Sequence, residues 1–159
     1  MPPLTHFDET GASRMVNVGE KPVSTRMARA EATLKMRPET LQLIRDKTLA
    51  KGDVLEVARL AGIMAAKKTP ELIPLCHSLG LDGVQVDFEP TGSGTLRIES
   101  RVSVEGKTGV EMEALTAVCV AGLTVYDMCK SVDRNIELSQ VRLLEKSGGK
   151  SGHFVRETG

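Results

Sequence analysis

Between Glu113 and Asp127 the chain carries no charge, reading Ala114-Leu-Thr-Ala-Val-Cys-Val-Ala-Gly-Leu-Thr-Val-Tyr126. This run sits inside an expected helix from near Thr108 to about Val132, with Glu111 as capping-box partner to Thr108. A surface helix needs a polar face, and this one has hardly any. It is also shorter than the roughly 20 apolar residues of a membrane span. The chain must therefore bury this helix on more than one side. One sheet covers one face. We expect a second copy of the chain to cover the other, through the small residues Ala117, Ala121 and Gly122.

The rest of the sequence supplies the sheet. Ala28, Ala30, Ala32, Leu34 and Met36 alternate with Arg29, Glu31, Thr33 and Lys35, the period of a half-buried strand. Pro38 opens a short helix to about Lys47. A second helix begins at Asp53, which can cap it while Glu56 reaches back. It ends before Pro70, and residues 70–78 read as an apolar loop. Val84, Val86 and Phe88, then Leu96, Ile98, Val102 and Val104, form a hairpin around a turn at Pro90–Gly94. A last strand covers Ile136–Leu144. The order β-α-α-β-β-α-β gives an α+β sandwich, an antiparallel sheet with helices on one face, close to the split βαβ pattern. With 159 residues one domain is expected, as 25–154, between a flexible N-terminal arm at 1–24 and a tail at 155–159.

Composition removes several function classes. Lys+Arg and Asp+Glu are both 21, so the basic excess of a nucleic-acid binder is missing. Aromatics are 3%, too few for a base-stacking platform. Cys76, Cys119 and Cys129 form no C-x-x-C pair, and the start of the sequence shows no signal-peptide pattern. A reducing, cytoplasmic setting without membrane or nucleic-acid partner follows as the expectation.

Two boxes, Gly106-Lys-Thr-Gly109 and Gly149-Lys-Ser-Gly152, invite a P-loop reading, but Arg101 and Leu144 stand where the first glycine must be. Lys51 and Lys107 still precede helix starts, where phosphate binds readily and where lysine is also commonplace. Asp127 and Lys130, at i and i+3, are either a proton-transfer pair at the edge of an apolar wall or a plain helix-end ion pair. Glu113 and Asp127 lie within about 40° of each other around a helix but about 21 Å apart along it. Two antiparallel copies could bring both to one substrate. His77, after Cys76, suits a polar pocket or an ordinary loop, and no metal-ligand spacing involves it.

Six strings recur in a fixed order: Lys51-Gly-Asp53, Ala58-Arg-Leu-Ala-Gly-Ile63, Ile73-Pro-Leu-Cys-His77, Lys107-Thr-Gly-Val-Glu-Met-Glu-Ala-Leu-Thr116, Tyr126-Asp-Met-Cys-Lys130 and Lys146-Ser-Gly-Gly-Lys-Ser-Gly152. Together they resemble the cyclic pyranopterin monophosphate synthase family, molybdenum cofactor biosynthesis protein C, over about Leu4 to Phe154. The resemblance implies a ferredoxin-like fold and a hexamer built as a trimer of dimers. It implies that cyclised dihydro-GTP is converted to cyclic pyranopterin monophosphate with release of diphosphate. By the same resemblance Asp127, Lys51 and Lys130 are catalytic, and Leu75, Cys76, His77, Met112, Glu113 and Lys146 meet the substrate. Lys67 and Lys150 are added as candidate phosphate cations. No resident metal or cofactor is implied; Mg2+ can accompany the triphosphate. Two positions depart from the family pattern: Ser78 replaces a proline, and Asn17 replaces an aspartate. The competing readings are a non-catalytic nucleotide-binding module and a purely structural oligomer. Asp127 beside two lysines argues for proton transfer, since a carboxylate would repel phosphate.

Overall fold

β1 (Ser24–Lys35) is the centre of the sheet, and it is unusual in presenting alanines to the core. Ala28, Ala30 and Ala32 are fully buried, as is Leu34, while Arg29, Glu31 and Thr33 point to the opposite face. Alanine is a weak strand former, so tertiary packing decides this strand. Its small side chains let a helix lie close against the sheet. The computed structural model describes residues 4–157. After β1 come α1 (Pro38–Arg45), α2 (Val54–Lys67), α3 (Thr69–Leu72), β2 (Gly83–Gly92), β3 (Thr95–Gly106), α4 (Glu111–Cys129), β4 (Glu137–Ser147) and β5 (Phe154–Val155).

The sheet order is β2-β3-β1-β4-β5, with every pairing antiparallel. β3 sits between β1 and β2, which makes the split β-α-β arrangement expected from the element order, a ferredoxin-like sandwich. α2 and α4 pack on the alanine-lined face, and α4 touches β1, β3 and β4. α4 is 19 residues long and predominantly apolar. By length and composition it could cross a membrane, but Ala114, Ala117, Val118, Ala121 and Val125 are fully buried in the core.

The opposite face is built of charge. Glu31 is only 6% exposed, and it accepts from Arg97 and Arg142, each at 2.7 Å. Burial pushes its carboxyl up, but the two guanidiniums outweigh that and hold it below the usual range. Arg29 bridges Glu99 and Glu145 at 2.8 and 2.7 Å.

Several expectations need correction. Ala117, Ala121 and Gly122 do not face outward. A Cβ at Gly62 of α2 would stand 3.0 Å from the Ala117 carbonyl oxygen and 3.3 Å from the Ala121 Cβ, so α2 closes on α4 there. Gly122 meets Leu138 and Ile98 in the same way. The subunit itself thus covers much of what a second copy was expected to cover. What stays outward is narrower: Leu123 is 59% exposed, with Leu115 and Cys119 only half-buried two turns and one turn before it.

The start of α4 has no side-chain cap, and Glu111 pairs with Lys146 at 3.0 Å instead of closing a capping box. At α2 only half the box forms: Asp53 accepts from the Glu56 backbone N–H at 3.3 Å, while the Glu56 carboxylate turns to Arg59. Residues 69–72 form α3 rather than loop. β2 and β3 extend to Gly92 and from Thr95, leaving Ser93-Gly94 as the turn. A side chain at Gly94 would collide with the Met36 carbonyl, which explains the glycine. β5 pairs with β4 at Glu145 and Lys146 and lies across the expected 154/155 boundary.

Candidate active site

Helix α4 carries acid groups at both ends. Glu113, in its first turn, is 4% exposed, and its Oε2 atom is buried without a hydrogen-bond partner. Burial raises its pKa to about 7; its own backbone N–H opposes this and nearby Glu111 adds to it. The positive end of a helix favours a carboxylate, yet desolvation wins here.

Glu113 lines a cavity of about 320 Å³ together with Met112, Leu75, Cys76, His77 and Lys21. The Leu75–His77 loop reaches it because α3 turns the chain and the Cys76 N–H donates to the Ile73 carbonyl at 3.1 Å. Burial, then Glu113 and Glu111, push the Cys76 thiol up, so it is a neutral wall rather than a nucleophile.

The N-terminal arm roofs this cavity through Thr5, His6, Val16 and Val18. His77 Nε2 donates to the Val16 carbonyl, which places the ring proton on that nitrogen. Lys107 Nζ donates to the Gly19 carbonyl at 2.8 Å and pins the arm from the other side. Sequence reasoning missed these arm residues. The one signal was the Met15-Val-Asn-Val18 string within the resemblance. Asn17 keeps an acceptor there, taking the Gly19 N–H at 2.8 Å. Ser78 is exposed beside the loop.

At the other end of α4, Lys130 Nζ donates to Asp127 Oδ1 at 2.8 Å, and Lys51 Nζ donates to the Asp127 backbone carbonyl at 3.0 Å. Lys51 arrives from the α1–α2 connection, where Gly52 takes φ 102°. Asp53 fixes that connection by capping α2 and by pairing with Lys47 at 2.9 Å. A carboxylate in the last turn of a helix faces the negative dipole end, so Asp127 is unfavourable there alone. Lys130 and then Lys51 offset this and hold its pKa below the usual range, while Asp127 raises that of Lys130. Both side chains are more than half exposed.

Within one subunit the expected residues fall into separate groups. Leu75, Cys76, His77, Met112 and Glu113 share the first cavity, and Lys146 adjoins it through Glu111. Lys51, Asp127 and Lys130 form the second group. Lys67 lines a different hollow with Leu79 and Asp82. Lys150 lines another, beside Lys21 and Arg26. α4 runs unbroken from Glu111 to Cys129, so its two acid ends stay about 21 Å apart, at 1.5 Å per residue. Among the described residues no group of three or more His, Cys, Asp or Glu is placed to hold a metal.

A ferredoxin-like sandwich with acid–base groups at both ends of its central helix, one buried and one wet, is the class that fold and site define. The chain belongs to the MoaC family, whose pattern matches residues 15–149. It is 59% identical over 158 residues to the cyclic pyranopterin monophosphate synthase of Heliobacterium modesticaldum, covering 99% of both chains. The protein of the same name from Magnetococcus marinus is 60% identical over 155 residues, covering 97% of this chain and 95% of that one. That of Desulfitobacterium hafniense is 58% identical over 154 residues, 97% of this chain and 94% of its own.

Proposed function

We propose that the protein is a cyclic pyranopterin monophosphate synthase of molybdenum cofactor biosynthesis. It takes cyclised dihydro-GTP, rearranges the purine part to a pyranopterin, closes the cyclic phosphate and releases diphosphate. Identity near 60% over almost the whole chain to synthases of that name supports this. The observation that carries it is the convergence of Lys51, Asp127 and Lys130, which the fold brings together from positions 76 residues apart in sequence.

In this reading Asp127 holds Lys130 charged and oriented, and the two exchange protons with the rearranging ring. Lys51 anchors the same helix end and offers charge to the phosphate. His77 and Glu113 take the heterocycle by hydrogen bonds, Glu113 as a carboxyl that titrates near neutrality. Leu75, Cys76 and Met112 wall that pocket. Lys146, Lys67 and Lys150 are cations for the phosphate chain. A magnesium ion accompanying the triphosphate is part of this reading.

The 21 Å gap between the two acid ends leads us to a homo-oligomer, a hexamer of three dimers, in which neighbouring copies complete one another's sites. The exposed Leu123, beside the half-buried Leu115 and Cys119 on the same helix, supports such an interface. The strands and helices from β1 to β5 form the catalytic unit, and the arm residues Val16 and Val18 cover its first cavity. Three free cysteines suit a cytoplasmic location.

The direct test is incubation with cyclised dihydro-GTP, reading diphosphate release and the pterin product. Release by the wild type and its loss in Lys130→Ala are the expected results. Turnover surviving in Lys130→Ala would remove that lysine from the mechanism. Light scattering after size exclusion tests the assembly; a stable monomer with full activity would refute it.

A further inference from the structure

Asp133, just beyond the end of α4, is a carboxylate only 3% exposed. It has no part in the reaction outlined above, and a buried charge is tolerated only where donors satisfy it. Its Oδ2 accepts from the Arg37 backbone N–H and from the Thr40 hydroxyl, each at 2.9 Å, and its Oδ1 from the Asn135 N–H at 3.1 Å. The Arg37 guanidinium lies 3.7 Å from Oδ2 and donates to the Val132 carbonyl. These contacts, the Arg37 N–H foremost, outweigh burial and hold the carboxyl below its usual range.

Arg37 and Thr40 belong to the start of α1, which has no side-chain cap of its own. A serine or aspartate at position 37 would cap α1 locally. Instead the acceptor comes from 93 residues beyond Thr40, so the cap also joins two elements. The joined segment is the one that carries Lys51. From α1 the chain runs through the α1–α2 connection to Lys51, whose Nζ donates to the Asp127 carbonyl at 3.0 Å. The segment is therefore fastened to the end of α4 twice, at Asp133 by its start and at Asp127 by Lys51. Buried Cys129 senses both fastenings: burial pushes its thiol up to about 11, Asp133 adds to this and Lys51 opposes it.

Asp133 is itself fixed to the last turn of α4. Its N–H donates to the Cys129 carbonyl at 3.0 Å, and the Tyr126 hydroxyl donates to the Arg134 carbonyl at 3.2 Å. Lys51, Asp127 and Lys130 are exposed, so their own side-chain packing does not hold them in register. Their spacing comes from the backbones that carry them, and reacting groups tolerate little misplacement.

We propose that Asp133 is a positioning residue: through the Arg37 N–H and the Thr40 hydroxyl it docks the α1 segment on the end of α4, and so sets the reach of Lys51 to Asp127 and Lys130. Its effect on turnover rests on the synthase reading above; its effect on Lys51 does not.

Trace acylation of the assembled protein with acetic anhydride, read lysine by lysine in a mass spectrometer, tests the docking without turnover. A Lys51 ammonium held against a carbonyl is shielded, so Asp133→Asn and Thr40→Val should each make Lys51 several-fold more reactive, with Lys21 and Lys68 unchanged. Thr40→Ser keeps the hydroxyl and should behave as the wild type. In the turnover assay Asp133→Asn should lower kcat about tenfold, as expected for a misplaced group, and Thr40→Val less. In both, the acidic limb of the kcat profile should move to higher pH, because a retreating Lys51 leaves one cation fewer beside Asp127. A loss of stability alone would leave that limb in place. Thr40→Val, which keeps the side chain's shape, serves if Asp133→Asn does not fold. Wild-type reactivity of Lys51 in Thr40→Val would overturn the proposal, and so would a rise shared by all lysines or an acidic limb that stays put. Failure of the synthase reading looks different: Lys51 responds to the variants, but even the wild type releases no diphosphate from cyclised dihydro-GTP.

Discussion

The two ends of α4 present the same functional group to opposite surroundings. Glu113 is 4% exposed with an unpartnered oxygen, and its pKa is raised to about 7. Asp127 is 64% exposed, paired with Lys130, and its pKa is lowered. Helix polarity alone predicts the reverse, a stabilised carboxylate at the first turn and a destabilised one at the last. Desolvation and local cations therefore outweigh the helix dipole at both ends. The buried end holds a proton that can be given or taken near neutral pH. The wet end holds an ion pair that adds little to stability while water surrounds it. Such a pair gains strength only when something excludes the water, and substrate or a second subunit would do that.

The wet end should give the largest effect on turnover. Asp127→Asn should lower turnover by about 10²–10⁴-fold, the range for a lost acid–base group. The thermal midpoint should not move. A large fall in that midpoint would make the pair structural.

At the buried end stability should respond instead. The folded-state pKa of Glu113, about 7, exceeds the ordinary value of 4.5, so between these values the folded protein binds more protons than the unfolded chain. Stability contributed by this group is therefore present at low pH and is lost as pH rises toward 7. The loss is on the order of 3 kcal/mol, at 1.36 kcal/mol per pKa unit. Glu113→Gln should flatten the decline between pH 5 and 8 in thermal denaturation. An unchanged slope would show that Glu113 is ionised in the folded state.

Two smaller effects test how the helix is held. Gly62→Ala inserts a methyl where α2 and α4 already touch, and should cost about 2 kcal/mol in urea denaturation. Ser100→Ala removes the buried hydroxyl that donates to the Ala114 carbonyl at 2.7 Å, next to Glu113. It should cost about 1 kcal/mol and leave the wet end untouched, so turnover should suffer less than in Asp127→Asn.

Much of this fold was legible because its signals are local. Strand alternation in β1, β2 and β3, the Pro38 start of α1 and the Asp53 cap of α2 each depend on neighbours within a few residues. So does the i,i+3 meeting of Asp127 and Lys130. Most of the misreadings come from competition by distant partners. Glu111 leaves its capping position for Lys146, 35 residues on, whereas the Glu56 carboxylate turns to a local rival, Arg59 one helical turn further along. Ala117, Ala121 and Gly122 look like an outward small-residue face, yet Gly62, Leu138 and Ile98 occupy it from within. The arm residues over His77 had only the short string at Met15–Val18 as a signal, and the hollow that joins Lys21 and Arg26 to Lys150 had no short-range signature.

The order of residues by itself settled that an uncharged helix must be buried against an alternating sheet, because apolar periodicity is written along the chain. It also settled which acids and bases exist and where each stands. Tertiary structure alone decided which carboxyl keeps its proton. That choice depends on how much water each group loses and which cation comes near, and both are set by segments tens of residues away.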